Sequence, residues 1–231
     1  MTHALLVLHC DNHVLVVAKP AGIPSVPDAS GDESLLELSK NWVGERYAKP
    51  GAVFLGVVQR LDRPVSGVMV FARTSKAAAR LAEVLREQRA RKTYWAIGEG
   101  SAREDEGELV QFLWKDEERN RVHVCGRSRQ DAREARTRWR VLERDAGRTL
   151  YEFQPATGRS HQLRVAAATL GTPLLGDLKY GARAPLEDQS IALHARELAF
   201  EHPVTHEELR FEAELPALAT WDAARRRLTR S

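Results

Sequence analysis

A chain of 231 residues, 43% of them hydrophobic and 29% charged, is long enough to bury a substantial core and ordinary for a soluble globular protein. Two isolated cysteines, Cys10 and Cys125, exclude a disulfide framework or a zinc site built on thiolates, and they fit a reducing cytoplasm. Lys and Arg number 35 against 32 Asp and Glu, so the net charge of +3 is only mildly basic and the placement of basic clusters matters more than their sum.

In chain order, residues 5–8 and 14–18 are predicted as paired strands with Asp11-Asn12 as the turn between them. A Pro- and Gly-rich loop over 19–32 leads to a short helix carrying Leu35, Leu36 and Leu38. Residues 53–58 and 68–71 read as buried strands on either side of a polar turn. Thr74 or Ser75 can cap a helix with Ala77, Leu81, Val84 and Leu85 at helical spacing, which returns the chain to a strand around Tyr94. Strands are predicted over 108–113, 137–142 and 150–153, and the polar, Arg-rich connection over 115–135 is predicted as the most mobile element. Ser160 is the predicted N-cap of a helix with an apolar stripe of Leu163, Ala166, Ala167 and Leu170, ended by Gly171. Strands over 191–193, 198–200 and 209–213 and a last helix carrying Leu218, Trp221 and Leu228 complete the chain.

No repeat or low-complexity linker interrupts this pattern, so one α+β domain over 1–231 is expected. No apolar run approaches membrane length and no leader-like segment opens the chain, which predicts a cytoplasmic protein away from membranes. His9 with His13, and His202 with His206, stand four apart but lack a third ligand at ordinary spacing, so no metal is expected. Basic clusters at 86–92, 133–140 and 225–230 can follow a phosphate backbone or form solvated faces.

The most informative run is Gln59-Arg60-Leu61-Asp62-Arg63-Pro64-Val65-Ser66-Gly67. It sets one carboxylate between two guanidiniums, which favour the ionised form that a carboxylate nucleophile needs at neutral pH. Pro64 restricts Arg63 and Gly67 relieves the turn, so a rigid loop is expected. Alone, such a turn is more often a solvated ion pair than a catalytic loop. Further motifs stand beside it: Lys19-Pro20-Ala21-Gly22, Arg91-Lys92-Thr93-Tyr94-Trp95-Ala96-Ile97, Thr157-Gly158-Arg159-Ser160-His161-Gln162-Leu163-Arg164, Gly171 to Asp177 with Lys179-Tyr180-Gly181, and Leu193-His194-Ala195 with His202-Pro203. In this order the chain, from about residue 5 to residue 216, resembles the RluA-type pseudouridine synthases, and the RLDRPxSG form resembles their short TruC-like members, which lack an extra N-terminal RNA-binding domain.

The resemblance implies a pseudouridine synthase fold: a mixed, largely antiparallel central sheet with flanking helices and a central RNA-binding cleft. It implies isomerisation of a uridine in structured tRNA or rRNA, with no cofactor and no metal, by a protein expected to be a monomer. Asp62 corresponds to the nucleophile, attacking either the ribose anomeric carbon or carbon 6 of uracil. Tyr94 corresponds to the tyrosine against the target base; a free phenol has a pKa of about 10, so a base role for it needs nearby positive charge. Arg164 corresponds to the basic partner of the catalytic carboxylate, and Leu163 presses on the base from its apolar side. Arg60 matches the residue that fills the stack vacated by the everted nucleotide. Arg159 and His161 are expected as phosphate or sugar contacts, with structural hydrogen bonding as the other reading. Lys19 is expected as a phosphate contact or a solvated turn residue. Three positions depart from the family: Gln59 replaces a His and can bond but not titrate, Val65 replaces a Thr, and Ala166 replaces a His. Retained activity with altered RNA selection is expected. A catalytically silent RNA-binding protein is the alternative, and a retaining glycosidase is disfavoured because arginines, not a second carboxylate, surround Asp62.

Overall fold

The computed structural model describes residues 5–48 and 50–229. Its elements in chain order are β1 (Leu6–Cys10), β2 (Val14–Lys19), α1 (Leu35–Arg46), β3 (Gly56–Val57), β4 (Ser66–Ala72), α2 (Ser75–Arg86), β5 (Arg91–Glu99), β6 (Glu106–Asp116), β7 (Arg121–Cys125), β8 (Arg133–Asp145), β9 (Arg148–Pro155), α3 (Gln162–Thr169), β10 (Leu193–Glu201), β11 (Glu208–Glu212) and α4 (Asp222–Leu228). Short 3-10 turns lie at Leu178–Tyr180 and Ala219–Trp221. The class is α+β, and the chain divides into two compact units, each assembled from two chain segments: 1–91 with 195–214, and 92–194 with 215–231.

In the first unit the strand order is β1-β2-β4-β10, with β11 paired to β10 and β3 to β4. Asp11 sets the β1–β2 turn, its Oδ1 accepting from the backbone N–H groups of His13 (2.7 Å) and Val14 (2.8 Å). Val14 to Val17 and all of β4 are buried, as strands covered on both faces must be. Thr74 caps α2 through a bond from the Ala77 N–H (3.1 Å), and the Ala77, Leu81 and Val84 face of that helix packs with Val14, Val16, Val68 and Val70. The α1 helix is longer than its three leucines suggest, because Ser34 and Glu37 form a reciprocal capping box that starts it firmly. The expected strand over 53–58 shrinks to two residues, with Phe54 52% exposed: the apolar letters there are not covered on both faces. The antiparallel register of β2 on β4 sets Lys19 opposite Gly67. Gly67 sits at φ +124, and a Cβ there would meet the backbone oxygen of Ala195 at 2.3 Å, so no side chain fits.

In the second unit the order is β5-β9-β8-β6-β7, and the recorded pairings are antiparallel. Trp95, Ile97 and Leu150 pack with Trp221 and Ala224 of the C-terminal segment, and Leu113, Val122 and Ala135 pack with Val165 of α3. Two expectations fail here. The connection over 115–135 contains an ordered strand, β7, because Arg121 to Cys125 alternates and pairs in register with β6. Ser160 does not cap α3; the helix begins at His161, which takes a left-handed φ of 52° and gives no side-chain cap. Gln162 secures the segment instead. Its Oε1 accepts from the Thr157 hydroxyl (2.8 Å) and the Arg159 N–H (3.0 Å), while its Nε2 donates to Arg136 O (3.0 Å) and Thr137 Oγ1 (2.9 Å). Gly171, at φ +79, ends α3 as expected. Arg230, the last arginine of the C-terminal basic cluster, lies outside the described residues.

Candidate active site

Gln59, Arg60, Asp62 and Lys19 belong to the first unit. The loop carrying Asp62 is held by backbone clamps. The Ser25 hydroxyl donates to Leu61 O (2.6 Å) and accepts from the Leu61 N–H (3.1 Å), the Val65 N–H closes the turn on Asp62 O (3.0 Å), and the Gly22 N–H bonds Arg63 O (2.9 Å). Lys19 completes the set, its ammonium donating to Pro20 O (3.0 Å), Arg63 O (3.0 Å) and Val65 O (2.7 Å). Lys19 is therefore neither a phosphate contact nor a solvated turn residue: it is 2% exposed and spends its three donors on three carbonyls. The rigidity expected from Pro64 and Gly67 comes largely from Lys19 and Ser25.

The two guanidiniums flanking Asp62 in sequence take different roles. Arg60 is exposed. Arg63 turns to the 28–32 loop, bonding Asp32 (2.5 Å), both oxygens of Asp28 (3.1 Å each) and the Ser30 hydroxyl (2.5 Å). Bonds from Ser30, and after them from Arg63, hold the Asp28 carboxyl at about 2. Asp62 itself is half-buried. Gln59 has its amide nitrogen buried without a hydrogen-bond partner, a cost a folded chain accepts where a donor is reserved for a ligand. Val65 is 2% exposed, so a branched apolar side chain suits that site without needing a partner for a hydroxyl.

Burial pulls the Lys19 ammonium down to about 7; the Asp62 carboxylate opposes that fall and the Arg63 guanidinium adds to it. Between that value and the ordinary 10.5 the unfolded chain holds a proton the folded chain releases, so Lys19 makes native stability rise with pH across this window. The Lys19→Met protein should be less stable by about 3 kcal/mol, because three carbonyls lose their donor. Its deficit in urea unfolding should be larger at pH of about 9.5 than at about 7. A deficit that shrinks on going to the higher pH would show that the folded state does not favour the neutral amine.

Tyr94, Arg159, His161, Leu163 and Arg164 belong to the second unit. Strand alternation settles the Tyr94 side chain: Trp95 points into the core at 8% exposure, while Tyr94 lies on the other face of β5, half-buried and opposite Phe153 of β9. Lys92 shares that face, two residues earlier, and burial pulls its ammonium below the usual lysine range. Arg164 is 6% exposed and is pinned by Asp177, its Nε and Nη2 each 2.7 Å from one carboxylate oxygen, with the Tyr180 ring 5.1 Å below the guanidinium carbon. Asp177 is 1% exposed. Leu163 is buried at the start of the helix. His161 is 9% exposed with Nδ1 2.7 Å from the Tyr180 hydroxyl, which also accepts from the Val122 N–H (2.8 Å), so the structural reading of His161 prevails over a phosphate contact. Arg159 is exposed, its Nε bonded to Glu134 O (2.9 Å).

Sequence reasoning passed over Ser25, Lys92, Asp177 and Gln162. Asp177 and Gln162 lie inside quoted motifs, and an acid or amide within a motif that also holds an essential arginine is the signal that was available. Ser25 carried none, because its partner Leu61 is 36 residues away. Among the described residues no three His, Cys, Asp or Glu side chains are placed to hold a metal ion, and no helix is long and apolar enough to cross a membrane.

Residues 13–169 match the family described as RNA pseudouridylate synthase. The chain is 36% identical over 210 residues to the dual-specificity RNA pseudouridine synthase RluA of Pasteurella multocida, covering 90% of this chain and 91% of that one. It is 36% identical over 217 residues to the uncharacterized RNA pseudouridine synthase YhcT of Bacillus subtilis, covering 91% of this chain and 68% of that one. Among solved structures, human RNA pseudouridylate synthase domain containing 4 superposes with a TM-score of 0.78 at 26% identity, over 96% of this chain and 93% of that one. With a family match over more than half its length and relatives of this closeness, the chain belongs to the RNA pseudouridylate synthase family.

Proposed function

We propose that this RNA pseudouridine synthase acts through Asp62 as nucleophile on a uridine everted from structured tRNA or rRNA. The observation that supports the reading is the held loop: bonds from Lys19, Ser25 and Gly22 fall on backbone atoms of Leu61, Arg63 and Val65, which fixes the backbone that carries Asp62. The reaction breaks the bond between ribose carbon 1′ and uracil nitrogen 1, turns the captive uracil, and joins carbon 1′ to carbon 5. The carbon 5 proton is lost and nitrogen 1 gains one, so no redox partner or energy source enters.

In this reading Tyr94 lies against the uracil and takes the carbon 5 proton with Lys92 lowering the cost of the phenolate. Arg164, aligned by Asp177, steadies the carboxylate, and Leu163 gives the base an apolar wall. Arg60 fills the vacated stack, Gln59 donates its buried amide to the RNA, and Arg159 meets a phosphate. The protein works as a monomeric cytoplasmic enzyme whose chain forms one catalytic domain. Incubating purified protein with RNA tritiated at uridine carbon 5, drawn from cells lacking the gene, should release tritium. RNA binding without release would replace this reading with a silent RNA-binding protein.

A further inference from the structure

The arginines of the second unit fall into two groups that differ in what holds them. On β8 three of them are matched by carboxylates: Arg136 lies 3.1 Å from Glu134 and 3.7 Å from Glu108, Arg140 makes a two-pronged bond to Glu152 (2.9 and 3.0 Å), and Arg144 lies 2.8 Å from Asp105. Half of the basic run over 133–140, a candidate for phosphate tracking by sequence, is thus internally neutralised. Residues 119–130 are the opposite case, with four arginines, one histidine and no carboxylate.

Three of those four are held by rings. The guanidinium carbon of Arg129 stands 3.8 Å from the Trp114 ring centroid, that of Arg127 5.8 Å from Phe112, and that of Arg121 5.6 Å from Tyr180. None of the three makes an ion pair among the described residues. The rings are themselves set: Trp114 pairs with His123 across β6 and β7 and stacks on it at 5.7 Å, and the Tyr180 hydroxyl is bonded by Val122 and His161. A ring under a guanidinium orders it and shields one face, yet takes none of its in-plane N–H donors. Beside them runs a groove of about 570 Å³ bordered by Trp114, Lys115, Arg133 and Arg159, with Glu117 and Asp131 as its acids. Lys115 is paired with Glu117 at 2.6 Å, whereas Arg133 makes no ion pair among the described residues.

We propose that the β6–β7 hairpin with the loop over 126–132 is a binding site for the phosphodiester backbone of structured RNA, contacted by Arg121, Arg127 and Arg129 on their aromatic supports. A carboxylate-bearing protein would also meet positive charge here, but flat, ring-backed forks of N–H donors match the spaced, paired oxygens of successive phosphates. The inference rests on the chain being an RNA enzyme and extends it to a further set of phosphate contacts.

The test uses the full chain, the Arg121→Gln/Arg127→Gln/Arg129→Gln variant, and total RNA from cells lacking the gene. Each phosphate contact contributes roughly 0.7 to 0.9 to the slope of log affinity against log salt, so the variant should show a slope shallower by about 2 and at least about tenfold weaker binding at low salt. The loss should fall mainly on KM for the RNA, with a smaller change in turnover at saturating RNA. An unchanged slope with unchanged affinity overturns the proposal, and so does equal binding of polyglutamate by the wild type. The corresponding triple Lys variant guards against misfolding: it should keep the slope while binding more weakly, and a lost slope there counts against the site. If the slope responds as expected while no RNA acquires pseudouridine, the catalytic reading fails and the phosphate contacts stand. If pseudouridine forms with an unaltered slope in the variant, the reverse holds.

Discussion

Asp62→Asn should lower pseudouridine formation by at least about 10⁴-fold while leaving RNA affinity within about threefold, measured by tritium release and filter binding on the same preparation. The amide is nearly isosteric with the acid but is no nucleophile. The loop should survive the change, because the clamps from Lys19, Ser25 and Gly22 fall on the backbone of residues 61, 63 and 65. A variant that retains a tenth of the wild-type rate would remove Asp62 from the role of nucleophile and with it the proposed mechanism. A variant that loses activity together with its fold would be recognised by its thermal unfolding.

The second large effect concerns Asp177. It and Arg164 are 1% and 6% exposed and bonded at 2.7 Å through two prongs. Truncation in Asp177→Ala leaves a buried guanidinium without its matched carboxylate and should cost about 3–5 kcal/mol in urea unfolding. Replacing both partners, Arg164→Met with Asp177→Leu, should recover more than half of that loss, since a well-packed apolar pair needs no compensation. The double variant should still make no pseudouridine. A stable but inactive double variant separates the structural part of the bridge from the proposed part of Arg164 in catalysis. A double variant as unstable as the single one would mean that Arg164 has packing duties that methionine does not meet.

Several elements were legible from local pattern because local physics decides them. The Thr74 cap, the Ala77–Leu81–Val84 stripe, the buried β4 strand and the Gly171 stop each depend on residues within a turn or two of each other. The failures share a cause as well. The apolar letters over 53–58 resemble those of β4, yet only the tertiary arrangement determines whether both faces are covered, and at Phe54 they are not. The 115–135 connection reads as mobile because it is polar, but cross-strand pairing with β6 is enough to order β7. His161 looked like a ligand contact until Tyr180, nineteen residues away, supplied its partner.

The candidate site divides the same way. The motifs that carry the family resemblance were sufficient to single out Asp62, Tyr94 and Arg164 as candidates, since a carboxylate, a ring and a cation in that order are what the resemblance implies for the reaction. They were also sufficient for the family, which the comparisons bear out. They were silent on how each group is held. Lys19 and Asp62 are 43 residues apart, and nothing in Lys-Pro-Ala-Gly says that the ammonium is buried against carbonyls of the loop that carries Asp62; the β2–β4 register decides that. Likewise, Arg136, Arg140 and Arg144 on β8 and Arg121, Arg127 and Arg129 on or after β7 are the same letters, and only the segments packed beside them determine that one set meets carboxylates and the other meets rings. Residue chemistry is carried by the letter, whereas burial and partnership depend on which distant segment folds against it.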